Sequence, residues 1–359
     1  MNALMFAKRM PGAPTCVAVT FLIAAACGGS TPSSRTLPRE VDLLGIAPAN
    51  AYFVAYIDVD RARHSPHFGT VVTMLDDLSR AQGGSSIAAT REILERTETI
   101  VVIAQHDDED RVIVLMRGSY RQGELEGAFR EAARDPVRTT RRGAHEVLVG
   151  ERAEAGYIDT RTWAVTSTGT MGRILARADG HGGPSATSTE AFRALGRDIG
   201  FTQHAMTWFA IPTPELRERL FARAQGSGWA GSMVAAPIAA EARWLGGFVD
   251  VERGVELAVV ADMRSAQAAG RAAEYIQQEA SGFAGSLFAN MLGLSPLLSR
   301  TRVRADGARV TLGLRGTNPE VETVLSRVGG LLALALQSGA IGGASTAPPP
   351  PPPSGEPAQ

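Results

Sequence analysis

Four residues near one another in the chain carry side chains able to hold a divalent metal. Asp58 and Asp60 stand two apart, so an extended strand would put both carboxylates on one face. His64 and His67 follow at the spacing of one helical turn. Carboxylates and imidazoles together suit zinc or a related ion, and a metal-bound water would make the group a metal-assisted hydrolase. Pro66 interrupts the histidine pair, however, and the chain has no HExxH pattern. The preferred reading is a polar strand end followed by a surface turn, with no metal and no cofactor. The acidic run Asp107-Asp108-Glu109-Asp110 could attract calcium, but it lacks the alternating ligands and central glycine of an EF-hand loop. It reads as a solvated hairpin tip.

A second group is basic. Arg300, Arg302 and Arg304 alternate with Thr301, Val303 and Ala305, while Arg309 and Arg315 flank Val310, Leu312 and Leu314. Strand periodicity predicts that all five guanidinium groups face one side of a hairpin. Like charges opposite one another in a sheet are unfavourable unless carboxylates, water or an anionic partner offset them. Each guanidinium can grip a phosphate or carboxylate through two parallel hydrogen bonds. The five arginines are therefore the candidate anion-binding residues.

Other chemistry is excluded by what the chain lacks. Lys8 is the only lysine among 36 basic residues. If it is lost with an N-terminal signal, the remainder has no P-loop lysine, Schiff-base lysine or lysine nucleophile. The two cysteines, Cys16 and Cys27, lie too near the start to staple a core or build a cysteine-rich zinc site. Gly226-Ser227-Gly228-Trp229-Ala230-Gly231 matches GxGxxG by letter, but it follows a helical pattern rather than a strand. No Gly-x-Ser-x-Gly elbow occurs. The net charge of -1 gives no field that would draw nucleic acid.

The strongest signal is N-terminal. Lys8 and Arg9 precede an apolar run over 15–26, and Cys27-Gly28-Gly29 follows. A positive region, about a dozen apolar residues and small residues at a cut site describe a secretory signal, too short to span a bilayer. Residues 21–29, Phe-Leu-Ile-Ala-Ala-Ala-Cys-Gly-Gly, resemble the lipobox of bacterial lipoproteins, with Ala24 standing where that family usually has leucine. The resemblance implies cleavage before Cys27, a diacylglyceryl thioether on its sulfur and an acylated amine. It further implies a protein of the cell envelope, held at a membrane on its periplasmic or surface side. Gly28 is not the aspartate associated with inner-membrane retention, which points to the outer membrane. Residues 27–40 form the lipidated start and the tether, whose stretch from Gly28 to Arg39, rich in Gly, Ser, Thr and Pro, reaches at most about 40 Å.

The elements that must position the candidate side chains fall into an α+β pattern. A strand at 51–59 is followed by helix-prone residues, a hairpin of strands at 99–105 and 111–117, a helix from Leu125, short strands at 145–150, 154–159 and 163–167, and a helix at 170–178. A similar order then recurs. It comprises a strand at 205–211, a helix capped by Thr213-Pro214-Glu215, a hairpin at 242–251 and 255–262, and a helix at 265–280. A second hairpin turns at Asp306-Gly307, and a last helix starts at Asn318. The expectation is two tandem related α+β repeats, 41–180 and 190–338, made of antiparallel sheets with helices packed on one face. They are joined by a Gly/Pro-rich linker at 181–189 and followed by a Pro-rich tail at 339–359. Together these readings describe a membrane-tethered envelope lipoprotein with a non-catalytic binding or scaffolding body, whose partner would be an anionic envelope component. The alternatives are the metal-assisted hydrolase and a periplasmic carrier of an apolar ligand.

Overall fold

The computed structural model describes residues 41–81, 88–106, 110–121, 123–133, 135–214, 217 and 241–337. Cys27 and the signal and tether around it, the tip residues 107–109, the glycine-rich run at 226–231 and the tail at 339–359 lie outside the described residues.

The first half begins with Ala51–Asp58 (β1), apolar on both sides of the pleat, with Val54 and Ala55 fully buried. Asp58 caps the short helix Val59–Arg63 (α1) by accepting a hydrogen bond from the Arg61 backbone N–H at 2.8 Å. Helices Phe68–Ala81 (α2) and Ala88–Arg96 (α3) lead into the hairpin Thr97–His106 (β2) and Asp110–Gly118 (β3). Helix Glu124–Ala132 (α4) precedes four short strands, Arg138–Arg142 (β4), His145–Val149 (β5), Ala153–Tyr157 (β6) and Thr162–Ser167 (β7), and then helix Met171–Ala178 (α5).

A 3-10 turn at Ala186–Ser188 and helix Glu190–Ile199 (α6) lead to Met206–Ala210 (β8). The hairpin Ala242–Asp250 (β9) and Val255–Met263 (β10) follows, then helices Ala266–Ala284 (α7), Leu287–Leu292 (α8) and Ser295–Leu298 (α9). The hairpin Arg302–Asp306 (β11) and Arg309–Gly316 (β12) and helix Asn318–Gln337 (α10) complete the described chain. The hairpins sit within a residue or two of their expected positions, and Gly307 takes the left-handed conformation the tight turn needs, at φ 53°.

The α+β, antiparallel class holds, and the two halves share one sheet. Among the described residues, twelve strands run in the order β11-β12-β10-β9-β8-β1-β2-β3-β7-β6-β5-β4, and every neighbour pair is antiparallel. The halves meet at the centre, where the first strand of each pairs with the other and Ala55 lies opposite Trp208. Strand β1 is thus an interior strand with neighbours on both sides, which is why it carries so little polarity.

Helices cover both faces rather than one. On the front face, Val54, Val101, Ile103, Ile113 and Phe209 pack under α5, α6 and the segment from Leu43 to Ala51. On the back face, Phe53, Ile100, Val102 and Val114 pack under α1 to α4, and Ala261 and Val310 under the alanine-rich α7. The reason is written in β1 to β3, which are apolar at both parities, so leaving either face wet would expose a continuous apolar layer. The stretch at 181–189 is likewise tied down. Ala49 donates its N–H to Pro184 O, Ala186 donates to Ala47 O, and the Ala186 side chain is buried.

Gly246 of β9 shows how closely α6 sits on the front face. A Cβ there would lie 2.4 Å from Leu195 Cδ2 and 2.6 Å from the Trp208 carbonyl oxygen, inside any real contact distance. Gly246→Ala is expected to lower stability by about 1–3 kcal/mol through overpacking, read as a fall in the urea midpoint. An unchanged midpoint would show that α6 is not seated as described.

Candidate functional site

The four metal-candidate residues point to different partners. Asp58 caps α1 and lies 3.9 Å from the Arg61 guanidinium. Asp60 pairs with Arg63 at 3.1 Å and is mostly exposed. His64 Nδ1 bonds the Asp60 backbone oxygen at 2.8 Å, and His67 Nε2 bonds Asn318 Oδ1 at 3.3 Å, at the start of α10. Each residue is held by local capping or by the last helix. Among the described residues, no group of three or more His, Cys, Asp or Glu side chains could hold a metal ion.

What the end of β1 builds instead is a charged cluster joining the two halves. Arg61 from α1 donates to the Gln203 carbonyl and lies 3.9 Å from Asp250 and 3.8 Å from Glu252. His204 stacks on Phe248, with centroids 3.7 Å apart, and its Nδ1 lies 3.2 Å from Asp250 Oδ2. Burial works to raise the Asp250 carboxyl. Hydrogen bonds from His204 and from the backbone N–H groups of Val251 and Glu252 outweigh it and hold the group below the ordinary aspartate range. A carboxyl depressed by folding contributes stability above its unfolded value, and that contribution is lost as pH falls through the folded one. The stability gap between wild type and Asp250→Asn should therefore close as the pH falls below the ordinary aspartate range, as measured by urea unfolding at stepped pH. The sequence shows these residue types but not their meeting, which depends on β1, β8 and β9 being neighbours.

The arginine hairpin is sorted by its surroundings. Arg300 lies just before β11 rather than on it, and so leaves the expected stripe. Its guanidinium bonds Glu320 of α10 and, at 2.9 Å, the Pro296 carbonyl. That bond, with the Thr317 N–H and hydroxyl, pulls the Glu320 carboxyl down to about 2. Arg309 pairs with Asp198 of α6 at 3.0 Å, and Arg315 with Glu256 across β10 at 2.6 Å. Register places Arg302 opposite Gly313 and Arg304 opposite Thr311, so neither faces another arginine directly. Arg302 and Arg304 share the front face with Arg309 and Arg315, are exposed, and have no side-chain partner among the described residues. The expected five-residue stripe therefore comes down to two free guanidinium groups on an edge strand.

Both sheet edges are arginine-bearing. At the opposite edge, β4 is exposed over most of its length and carries Arg138, Arg141 and Arg142. Charged edge strands repel a second copy of the same sheet. Arg130 of α4 bonds Val137 O, just before β4, at 3.2 Å and Thr139 Oγ1 on β4 at 2.8 Å.

No family model matches this chain, and no curated protein does. Among solved structures, crystal form III of TP0453 superimposes with a TM-score of 0.50 at 12% identity, over 81% of this chain and 99% of that one. Crystal forms I and IV of TP0453 give 0.46 and 0.47, at 13% and 12% identity, over 81% and 82% of this chain and 98% and 97% of theirs. At this identity the likeness to form III is one of fold alone: the antiparallel α+β body described above has a counterpart among solved proteins.

Proposed function

We propose that this protein is a lipid-anchored envelope protein whose body is a non-catalytic binding or scaffolding module. The carrying observation is the segment ending at Cys27, with its positive start, short apolar run and small residues before the cysteine. The lipid on Cys27 is the attachment to the membrane, and the outer membrane is the proposed site. Among the described residues no helix is long and apolar enough to cross a membrane. Arg302 and Arg304 are the residues we assign to an anionic envelope component. The test is mass spectrometry of the N-terminal peptide of protein taken from the membrane fraction. Diacylglyceryl on the sulfur of Cys27, with chain before it removed, is the expected result. An unmodified thiol at Cys27 would overturn the reading.

A further inference from the structure

We propose that the outer edge of β11 accepts an extended segment of a partner protein, added as a further strand, in which acidic and apolar residues alternate. The proposal rests on the binding-module reading and names its partner class.

Strand β11 ends the sheet, so nothing among the described strands pairs with its outer side. The hairpin closes with Asp306 opposite Arg309 across two turn residues. In such a hairpin the closing pair is hydrogen-bonded and the bonded pairs then alternate, so Arg304 and Arg302 bond inward to β12. The N–H and C=O groups of Val303 and Ala305 therefore point outward, ready to bond a new strand. The two faces of this edge differ. On the front, Arg302 and Arg304 stand exposed beside Gly313 and Thr311, side chains too small to screen them. On the back, Val303 packs against the apolar cluster under α7. An added strand places alternate side chains on alternate faces. Those beside Arg302 and Arg304 meet unpaired guanidinium groups and should be carboxylates, while those beside Val303 meet an apolar layer and should be aliphatic. The same charges reject a second copy of β11, whose own arginines would fall alongside them.

The experiment titrates the purified full chain, in detergent, with a synthetic peptide in which glutamate and valine alternate. Saturable binding is expected, and proton–deuterium exchange at the Val303 and Ala305 amides should slow in the complex. A peptide of the same composition with the valines and glutamates in two blocks should bind at least about tenfold more weakly, because charge is kept and alternation lost. Arg302→Gln with Arg304→Gln should weaken the alternating peptide by about 10- to 100-fold at unchanged thermal midpoint. Arg302→Glu with Arg304→Glu should instead favour a peptide alternating lysine and valine. Equal binding of the block and alternating peptides, or binding with no added protection at Val303 and Ala305, would reduce the edge to a general polyanion contact and overturn the proposal. Absence of binding by any peptide would overturn it as well. None of these outcomes depends on the lipid at Cys27, so failure here is separable from failure of the anchoring reading.

Discussion

Cys27→Ser is expected to move the protein almost completely from the membrane pellet to the soluble fraction. Each acyl methylene buried in a bilayer contributes about 0.8 kcal/mol, and two or three chains hold where a single chain binds only reversibly. In the proposed lipoprotein, removing the thiol removes the thioether and the acyl chains it carries, while the small residues Ala24 to Ala26 still offer a cut site to ordinary signal cleavage. Among the described residues no helix is long and apolar enough to cross a membrane. The body should be untouched, because Cys27 lies outside the described residues while the described body holds the chain from Val41 onward. Asp159, fully buried, accepts the Val41 N–H at 3.1 Å, and Arg117 donates to the Val41 carbonyl. The thermal midpoint of the soluble variant should therefore match that of wild type. Membrane sedimentation followed by blotting reads the redistribution. If the variant still pellets with membranes and is not aggregated, the body itself holds the membrane. Leu287, Phe288 and Met291, exposed on α8 with Leu287 at 84%, would then be the first residues to change.

A large loss of stability from a single polar change should come from Glu154→Ala. Glu154 sits on β6 with 1% of its surface exposed and receives both arms of Arg142, at 2.5 and 3.1 Å. Its Oε2 also accepts the Met171 N–H at 3.0 Å, at the first turn of α5. Thr170, the residue at the cap position, makes no capping bond with its own side chain, so the neighbouring strand supplies what the helix start lacks. Truncating Glu154 leaves a guanidinium without its carboxylate and a helix end without its acceptor. Breaking a fully buried pair from one side costs about 3–5 kcal/mol, and because the Arg142 side chain is one-third exposed the loss here should be about 2–3 kcal/mol, read as a fall in the urea midpoint. Glu154→Gln, which keeps an acceptor oxygen for Met171 but not the charge, should lose less. A fall below about 1 kcal/mol for Glu154→Ala would mean that water reaches the pair and the burial seen at β6 is not maintained in solution.

The residues themselves determined the local elements. Aromatic and β-branched content marked β1, the paired apolar runs marked the hairpins β2–β3 and β9–β10, and Asp306-Gly307 marked the tightest turn. One legible helix was passed over. Thr189 caps α6 through the Phe192 N–H, and Phe192, Leu195 and Ile199 share a buried face, yet the nearby Gly/Pro-rich run read as a domain boundary. Strand β4, with Arg138, Thr139, Thr140, Arg141 and Arg142, offered no apolar alternation, because an exposed edge strand needs none.

Tertiary structure decided the rest. That β1 pairs with β8, that α5 and α6 roof the front face, and that Arg61 meets Asp250 are all contacts between segments far apart in the chain. The same is true of the arginines: periodicity fixed the face of those on the two strands, but Asp198, Glu256 and Glu320 decided which were neutralised and left Arg302 and Arg304 free. Local preference acts over a few residues, through backbone sterics and the period of side-chain display. Long-range pairing is selected by the apolar surface that the whole chain can bury at once, a quantity no window of the sequence contains.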